Sequence, residues 1–373
     1  MKKAFLVIPL LCLSFFVLSC SQDVPLTPPS FYPPPEEPSS SFLNHYKRSD
    51  FNKSNLKEIL KNETSEEIKN RSFTTNEVIT ASTDNKGRIV VTSYAPVTVK
   101  DVSIYSGKER IAFIDEVYGF SEAVIELKKN VEGLNNNTKL TVVSDDPFMK
   151  KIQKITSPMK VSFLQDNSGP WKAIDNKRSR EAAILAITMS YMFNHEAYLP
   201  HLLSWNDGGY IGKDVTYVLI PGVISFTWLP SNPFRDDNGS LMDGKTVLNR
   251  ALGVRNLNLT LIKESEPAGG IGGGSVLGIR DYLYDNFMRY TTLPSNGQKE
   301  QELKCYVVNV IFHEFAHCMG FYHNTDPYPG TMTYGGGWTT ANYVFLNQLI
   351  SNNDLPIPLD GTWESNIGFP KDL

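Results

Sequence analysis

The chain has 373 residues, of which 41% are hydrophobic and 20% charged, so it is long enough for two or three domains at roughly 150 residues each. Its formal net charge is -4 and its pI is about 5.9. Because this charge balance supplies no basic field, it argues against nucleic acid and anionic lipid headgroups as partners.

The first 19 residues have the form of a bacterial signal peptide. A positively charged Met-Lys-Lys start precedes an apolar run at 4–18, which is short for a membrane span. The run ends in Val-Leu-Ser-Cys at 17–20, which resembles the lipobox of bacterial lipoproteins. The resemblance implies lipidation of Cys20 and a protein anchored outside the cytoplasm, at the outer membrane or cell surface. An ordinary secretory signal that happens to hold a cysteine is the alternative.

Residues 20–72 are predicted to be a tether between the lipid and the folded protein. The first half is rich in Pro and Ser, a composition that favours extended polyproline II. Residues 52–70 are highly charged and are interpreted as more tether. A proline-rich ligand for a partner domain is the alternative.

Residues 73–160 are predicted to form a small antiparallel β-sandwich of immunoglobulin-like size. Short β-rich runs are separated by Gly, Asn, Asp and Ser at roughly 10-residue intervals. These runs are 88–94, 97–99, 111–114, 123–127 and 140–143. The segment holds no titratable cluster, so positioning or binding is its expected role.

Residues 161–373 are predicted to form a second domain of mixed helices and strands. Apolar positions recur at helical spacing over 179–195, and a long helix is predicted over 299–319. Strand candidates lie at 215–220 and 257–262. The glycine-rich stretch 269–278 has no Gly-Lys-Ser/Thr sequence, so we predict a loop or sheet edge near a cleft and not a phosphate loop.

The long helix ends in the sequence HEFAHCMGFYH, from His313 to His323. Because His313 and His317 are four positions apart, they lie on one helical face and can bind the same Zn²⁺. Glu314 can reach a metal-bound water without being a ligand. Gly320 can adopt the left-handed conformation that ends a helix, so His323 can return to complete the site. Three ligands leave a fourth position open for water, as in catalytic zinc sites.

The pattern His-Glu-x-x-His-x-x-Gly-x-x-His resembles the metzincin clan of zinc metallopeptidases. The resemblance implies an α+β, zincin-like catalytic domain with one catalytic zinc ion, and hydrolysis of protein or peptide bonds with Glu314 as general base. It places a structural Met-turn at Met332. It also gives Tyr334 a role in stabilising the tetrahedral intermediate, with a packed aromatic as the alternative. Asn324 follows the third histidine, where the matrixins, astacins and serralysins of this clan carry other residues, so no subfamily is assigned.

Two other functions fit the sequence. One is a zinc hydrolase that acts on non-peptide amides. The other is a lipid-anchored adhesin or glycan-binding protein with a vestigial zinc site, but the intact Glu314 argues against it. The expected partners are therefore a protein or peptide substrate and the membrane, through lipid on Cys20, without nucleic acid.

Replacing Cys20 tests the lipobox. Labelled lipid precursor is expected to enter the full-length protein in a bacterial host, and Cys20→Ala should abolish labelling because it removes the acceptor thiol. Autoradiography of the membrane fraction is the measurement. Cys12→Ala is the matched control, since that cysteine leaves with the signal peptide and its loss should not affect labelling. Label retained by Cys20→Ala would show that the lipobox interpretation is wrong.

Overall fold

A computed structural model of the protein describes residues 44–128, 131, 134–135, 138–206, 234–293, 298–323, 332 and 337–370. The fold is mixed α+β, with two sheets and a set of helices. Within the described ranges, no helix combines the length and apolar composition that crossing a membrane requires.

The described strands and helices alternate irregularly along the chain. The strands are β1 (His45–Tyr46), β2 (Leu56–Glu58), β3 (Ser72–Thr74), β4 (Ile79–Thr83), β5 (Ile89–Ser93), β6 (Val99–Ser106), β7 (Glu109–Val117), β8 (Ser121–Ile125), β9 (Lys139–Val143), β10 (Lys160–Phe163), β11 (Trp171–Lys172), β12 (Asn256–Ile262), β13 (Gly270–Gly273) and β14 (Val276–Ile279). The α-helices are α1 (Ser65–Lys69), α2 (Pro147–Ile152), α3 (Asn176–Asn194), α4 (Tyr198–Asn206), α5 (Gly244–Gly253), α6 (Asp281–Met288), α7 (Gln298–Cys318), α8 (Trp338–Ser351) and α9 (Trp363–Asn366). Short 3₁₀ helices cover Arg48–Asp50 and Tyr290–Thr292.

The first sheet has the strand order β1-β7-β6-β9-β4-β5-β8-β2. Its strands pair antiparallel, apart from the parallel pair β1 and β7. The second half of β9 pairs with β6 and its first half with β4, so the sheet curls at this strand. Along β5 and β8, buried side chains alternate with partly exposed ones, as expected where one face packs on a core.

Most of the predicted β-runs in residues 73–160 coincide with strands of this sheet. The runs at 88–94, 111–114, 123–127 and 140–143 overlap β5, β7, β8 and β9, whereas the run at 97–99 reaches only the first residue of β6. β4 lies outside every predicted run. The antiparallel pairing is as expected, and the immunoglobulin-like closure of the segment stays a prediction.

The second sheet has the order β13-β14-β12-β10-β3, with β11 beside β12. β10, β12 and β14 are parallel, and the other strands run antiparallel to their neighbours. The predicted strand at 257–262 is β12, while the candidate at 215–220 lies outside the described residues. Because β3 pairs with β10 through Phe73 and Val161, the predicted domain boundary at Val161 falls inside this sheet.

Residues 44–72, predicted as tether, contribute strands to the first sheet and Ser72, the first residue of β3, to the second. β1 and β2 pair with β7 and β8 of the first sheet, and β3 joins the second. Arg180 of α3 donates from Nε to the carbonyl oxygen of Ile59 at 3.0 Å. The tether prediction is therefore corrected for these residues. Their charged composition was misleading because some of the charges are paired inside the fold, as with Glu63 and Arg71.

Helix α3 lies at the centre of the hydrophobic core. Every residue from Ser179 to Phe193 is buried, and the helix packs against β10, β12, α5 and α6. One apolar cluster continues from Ile89 and Val91 of the first sheet through α3 to Phe312 and Phe315 of α7. The two sheets therefore share one core, within a compact unit of residues 43–373.

Replacing Arg71 tests whether residues 57–71 belong to the cooperatively folded part of the protein. Arg71 pairs with Glu63, whose side chain is fully buried, and with Glu122. Arg71→Met should lower the free energy of unfolding by about 3 kcal/mol, because it removes the arginine from a buried carboxylate and leaves the half-exposed Lys57 and the backbone N–H of Leu60 to hold it. Urea denaturation followed by circular dichroism measures the change.

Lys139→Met is the matched control for this substitution. Lys139 also pairs with a glutamate, Glu77, but the two side chains are 69% and 48% exposed. Its loss should cost less than about 1 kcal/mol. Equal losses for the two variants would contradict the inclusion of residues 57–71 in the cooperative fold.

Candidate metal centre

Helix α7 has a buried apolar face and a partly exposed histidine face. The apolar positions recur at helical spacing and are buried. They are Val307, Val308, Ile311, Phe312, Phe315 and Ala316. His313 and His317 lie on the opposite face and are partly exposed. The core contacts therefore set the rotation of the helix and direct both imidazoles away from the core.

The end of α7 turns the chain back toward its own last turn. Gly320 has a φ of +88°, and its N–H donates to the carbonyl oxygen of His317 at 3.1 Å. The N–H of Phe321 donates to the carbonyl oxygen of Ala316, also at 3.1 Å. These two bonds form a Schellman motif, which glycine permits because it adopts a positive φ without steric cost. The predicted helix stop at Gly320 is confirmed.

The three predicted histidine ligands come together after this turn. Nε2 of His323 lies 3.0 Å from Nε2 of His317 and 3.0 Å from Nε2 of His313. The three ring centroids are 4.8 to 5.0 Å apart. Two nitrogens bound to one tetrahedral zinc ion at about 2.0–2.1 Å lie about 3.3–3.4 Å apart, so a small outward shift would fit the triad to such an ion. The residues could hold a metal.

His317 is fixed in the form that a metal requires. Its Nδ1 lies 2.7 Å from the carbonyl oxygen of Phe321. Since a carbonyl only accepts, Nδ1 carries the proton, and in the neutral ring Nε2 keeps its lone pair for a ligand. Burial lowers the pKa of His317, which favours this neutral ring, although the Phe321 carbonyl and the charge of Asp237 act in the other direction.

Glu314 lies beside the triad as a buried carboxyl group. Its side chain is 8% exposed, and Oε1 is 3.9 Å from Nε2 of His313. Burial raises the pKa of the Glu314 carboxyl to about 8, and a hydrogen bond from the backbone N–H of Gly272 lowers it in part. The carboxyl is thus close to the candidate ligands without being one of the three converging groups.

The glycine-rich stretch forms β13 and β14, with β13 at the end of the described sheet order and packed against α7. A Cβ atom at Gly270 would lie 2.5 Å from Cγ of Glu314, and one at Gly272 would collide with the carbonyl oxygen of Glu314. The sheet edge predicted from the glycines is present. Its contact with Glu314 was not predicted, because glycine composition does not identify the surface that a strand meets.

A turn at residues 234–242 contacts the segment that carries His323. Oδ2 of Asp237 accepts a hydrogen bond from the backbone N–H of Tyr322 at 3.0 Å. The guanidinium carbon of Arg250 in α5 lies 4.5 Å from the ring centroid of Phe321. Sequence reasoning missed Asp237: the sequence Asp-Asp-Asn-Gly at 236–239 is typical of a turn, but it does not reveal what the turn touches.

The remaining predicted site residues are placed only in part. Met332 is fully buried in the apolar core. Tyr334 and Cys20 lie outside the described residues. The comparisons with known proteins add no assignment: no protein-family model, curated protein or solved structure matches the chain.

Gly272→Ala tests the contact between β13 and α7. The added methyl group would collide with backbone and not with a flexible side chain, so the strand or the helix must shift. We expect the free energy of unfolding to fall by at least about 2 kcal/mol, as is typical when a methyl group is forced into a closely packed site. Thermal unfolding of the metal-free protein measures this loss.

Gly253→Ala is the control for the added methyl group. Gly253 ends α5, and a Cβ atom there would meet nothing within 4 Å. This variant should be as stable as the parent or slightly more stable, because alanine favours a helix. If Gly272→Ala were equally harmless, the close packing of β13 on Glu314 would be refuted.

Proposed function

We propose that the protein is a zinc-dependent endopeptidase of the metzincin type. The observation that carries the proposal is the convergence of His313, His317 and His323 beside the buried carboxyl group of Glu314. The helix stop at Gly320, which returns the chain to the triad, supports the resemblance in sequence. The metzincin-like fold of the catalytic part belongs to the same proposal.

The donor set favours zinc over harder cations. Three imidazole nitrogens without a carboxylate among them suit zinc, whereas calcium and magnesium take mostly oxygen ligands. A set of three protein ligands also leaves one position for water or substrate, the arrangement of catalytic zinc sites. When bound, the zinc ion would lower the pKa of a bound water toward 7 and polarise a substrate carbonyl.

Glu314 is proposed as the general base. Its carboxyl group lies close to His313 but outside the nitrogen triad. The positive charge of a bound zinc ion would favour the ionised carboxylate, which could accept a proton from the attacking water and pass it to the leaving amine. The backbone N–H of Gly272 holds the carboxylate from the side of β13. Burial excludes bulk water from the carboxyl group, which strengthens its interactions with charge in the site.

The proposal includes attachment to the cell envelope through lipid on Cys20. Its support is the Val-Leu-Ser-Cys sequence at 17–20 and the Pro-rich stretch that follows. The substrate is proposed to be a protein or peptide outside the cytoplasm. Tyr334 is kept as a candidate donor to the oxyanion on the strength of the sequence resemblance alone.

Glu314→Gln separates chemistry from metal binding. The amide has nearly the volume of the carboxyl group but cannot accept the proton, so peptide hydrolysis should fall by about 10²–10⁴-fold. Zinc content should stay at about one ion per chain, because Glu314 is not a ligand. Mass spectrometry of a mixed peptide library, with and without a chelator, measures activity, and elemental analysis measures zinc.

His317→Ala is the comparison variant. It removes one of the three nitrogen donors and is expected to lose zinc and activity together. Parent-rate cleavage by Glu314→Gln would contradict the proposed base, and full zinc occupancy in His317→Ala would contradict the proposed ligands.

A further inference from the structure

We infer that Asp237 is a positioning residue of the metal centre, which sets zinc affinity by holding the chain segment that carries His323. The inference rests on the proposed function for the identity of the metal. It assigns a role to a residue that lies 85 positions away in sequence from Tyr322, the residue it contacts. Asp237 is not proposed to touch the ion.

His323 needs support that the other two histidines do not. His313 and His317 belong to α7, whose hydrogen bonds fix their backbone. His323 follows the helix stop at Gly320, so its backbone is not fixed by helical bonds. Each freely rotating residue between the helix and the third ligand would have to be ordered when metal binds, at a cost in entropy.

Besides the Schellman bond from the Phe321 N–H and the packing of Arg250 on the Phe321 ring, two hydrogen bonds among the described residues hold this short segment. The carbonyl oxygen of Phe321 accepts from His317 Nδ1, and the N–H of Tyr322 donates to Oδ2 of Asp237 at 3.0 Å. The side chain of Tyr322 is 68% exposed, so the contact with Asp237 uses the backbone and not the ring. Asp237 thus binds the residue directly before His323.

The turn that presents Asp237 is itself closed. The N–H of Met242 donates to the carbonyl oxygen of Phe234 at 2.8 Å, and both side chains are buried. The N–H of Asp236 donates to the carbonyl oxygen of Ser240 at 2.9 Å, and the carboxylate of Asp236 accepts from the N–H of Ser240. The turn therefore holds Asp237 in a fixed position, which a residue that orients a metal ligand requires.

The hydrogen bond and the negative charge of Asp237 can be separated by substitution. Asp237→Ala removes both, whereas Asp237→Asn keeps an oxygen acceptor and removes the charge. Tyr322→Pro removes the bond from the other side, because proline has no N–H, and leaves the charge in place. Tyr322→Phe keeps the N–H and changes only an exposed side chain.

The experiment is a zinc titration of the metal-free full-length protein, in competition with a chromophoric chelator. Asp237→Ala and Tyr322→Pro are expected to raise the dissociation constant for zinc by about 10–100-fold. This is the usual effect of losing a residue that orients the metal ligands without binding the metal itself. Asp237→Asn and Tyr322→Phe should stay near the parent value. Thermal unfolding without zinc shows whether each variant is folded.

Asp243→Ala is the matched charge control. Asp243 lies in the same stretch and caps α5 by accepting from the N–H of Thr246 at 2.8 Å. Its loss changes the net charge by the same amount as Asp237→Ala but leaves the bond to Tyr322 intact. Zinc affinity should therefore be unchanged in this variant.

Parent-like zinc affinity in folded Asp237→Ala would overturn the inference. It would also be overturned if Asp237→Asn lost as much zinc affinity as Asp237→Ala, because the charge of Asp237 and not its hydrogen bond would then be responsible. If Asp237→Ala does not fold, the Tyr322 pair decides in the same way. A parent that binds zinc but cleaves no peptide would end the proposed function alone. A parent that binds no zinc would end both.

Discussion

The backbone of β13 lies directly on Glu314 of α7, because Gly270 and Gly272 place no side chain between the sheet edge and the helix. This close approach limits how far the helix can slide or rotate without collision. On its other side the helix is held by a buried apolar face. The two restraints together keep the carboxyl group buried and the two helical histidines partly exposed. The geometry of the candidate centre therefore depends on a contact between backbones.

The third histidine depends on a different kind of restraint. The Schellman motif at Gly320 reverses the chain, and the Phe321 carbonyl ties the reversed segment to His317. Asp237 then supports the same segment from a part of the chain before α5. A local turn and a distant side chain thus act on three consecutive residues, Gly320 to Tyr322, directly before His323.

The parts of the site that could be predicted from sequence are those set by local geometry. The i, i+4 histidines, the adjacent glutamate and the helix stop at Gly320 follow from helical periodicity and from the conformational freedom of glycine. Asp237, the packing of Gly272 and the pairing of β3 with β10 are contacts between distant segments, which leave no spacing to recognise. Residues 44–72 were misassigned because a charged composition does not show which charges become paired in the interior.

The pairing of β3 with β10 also has a consequence for the order of folding. Phe73 of β3 pairs with Val161 of β10, which in turn lies parallel to β12 around Leu257. β3 is synthesised long before β10 and β12, so it cannot enter the sheet until they are made. Contacts between segments so far apart in sequence slow folding. If the chain is exported from its N-terminus, β3 crosses the membrane well before the strands that cover it. During that interval Phe73, the buried side chain of β3, lacks its native partners, so chaperone protection in transit would guard this strand against wrong pairing.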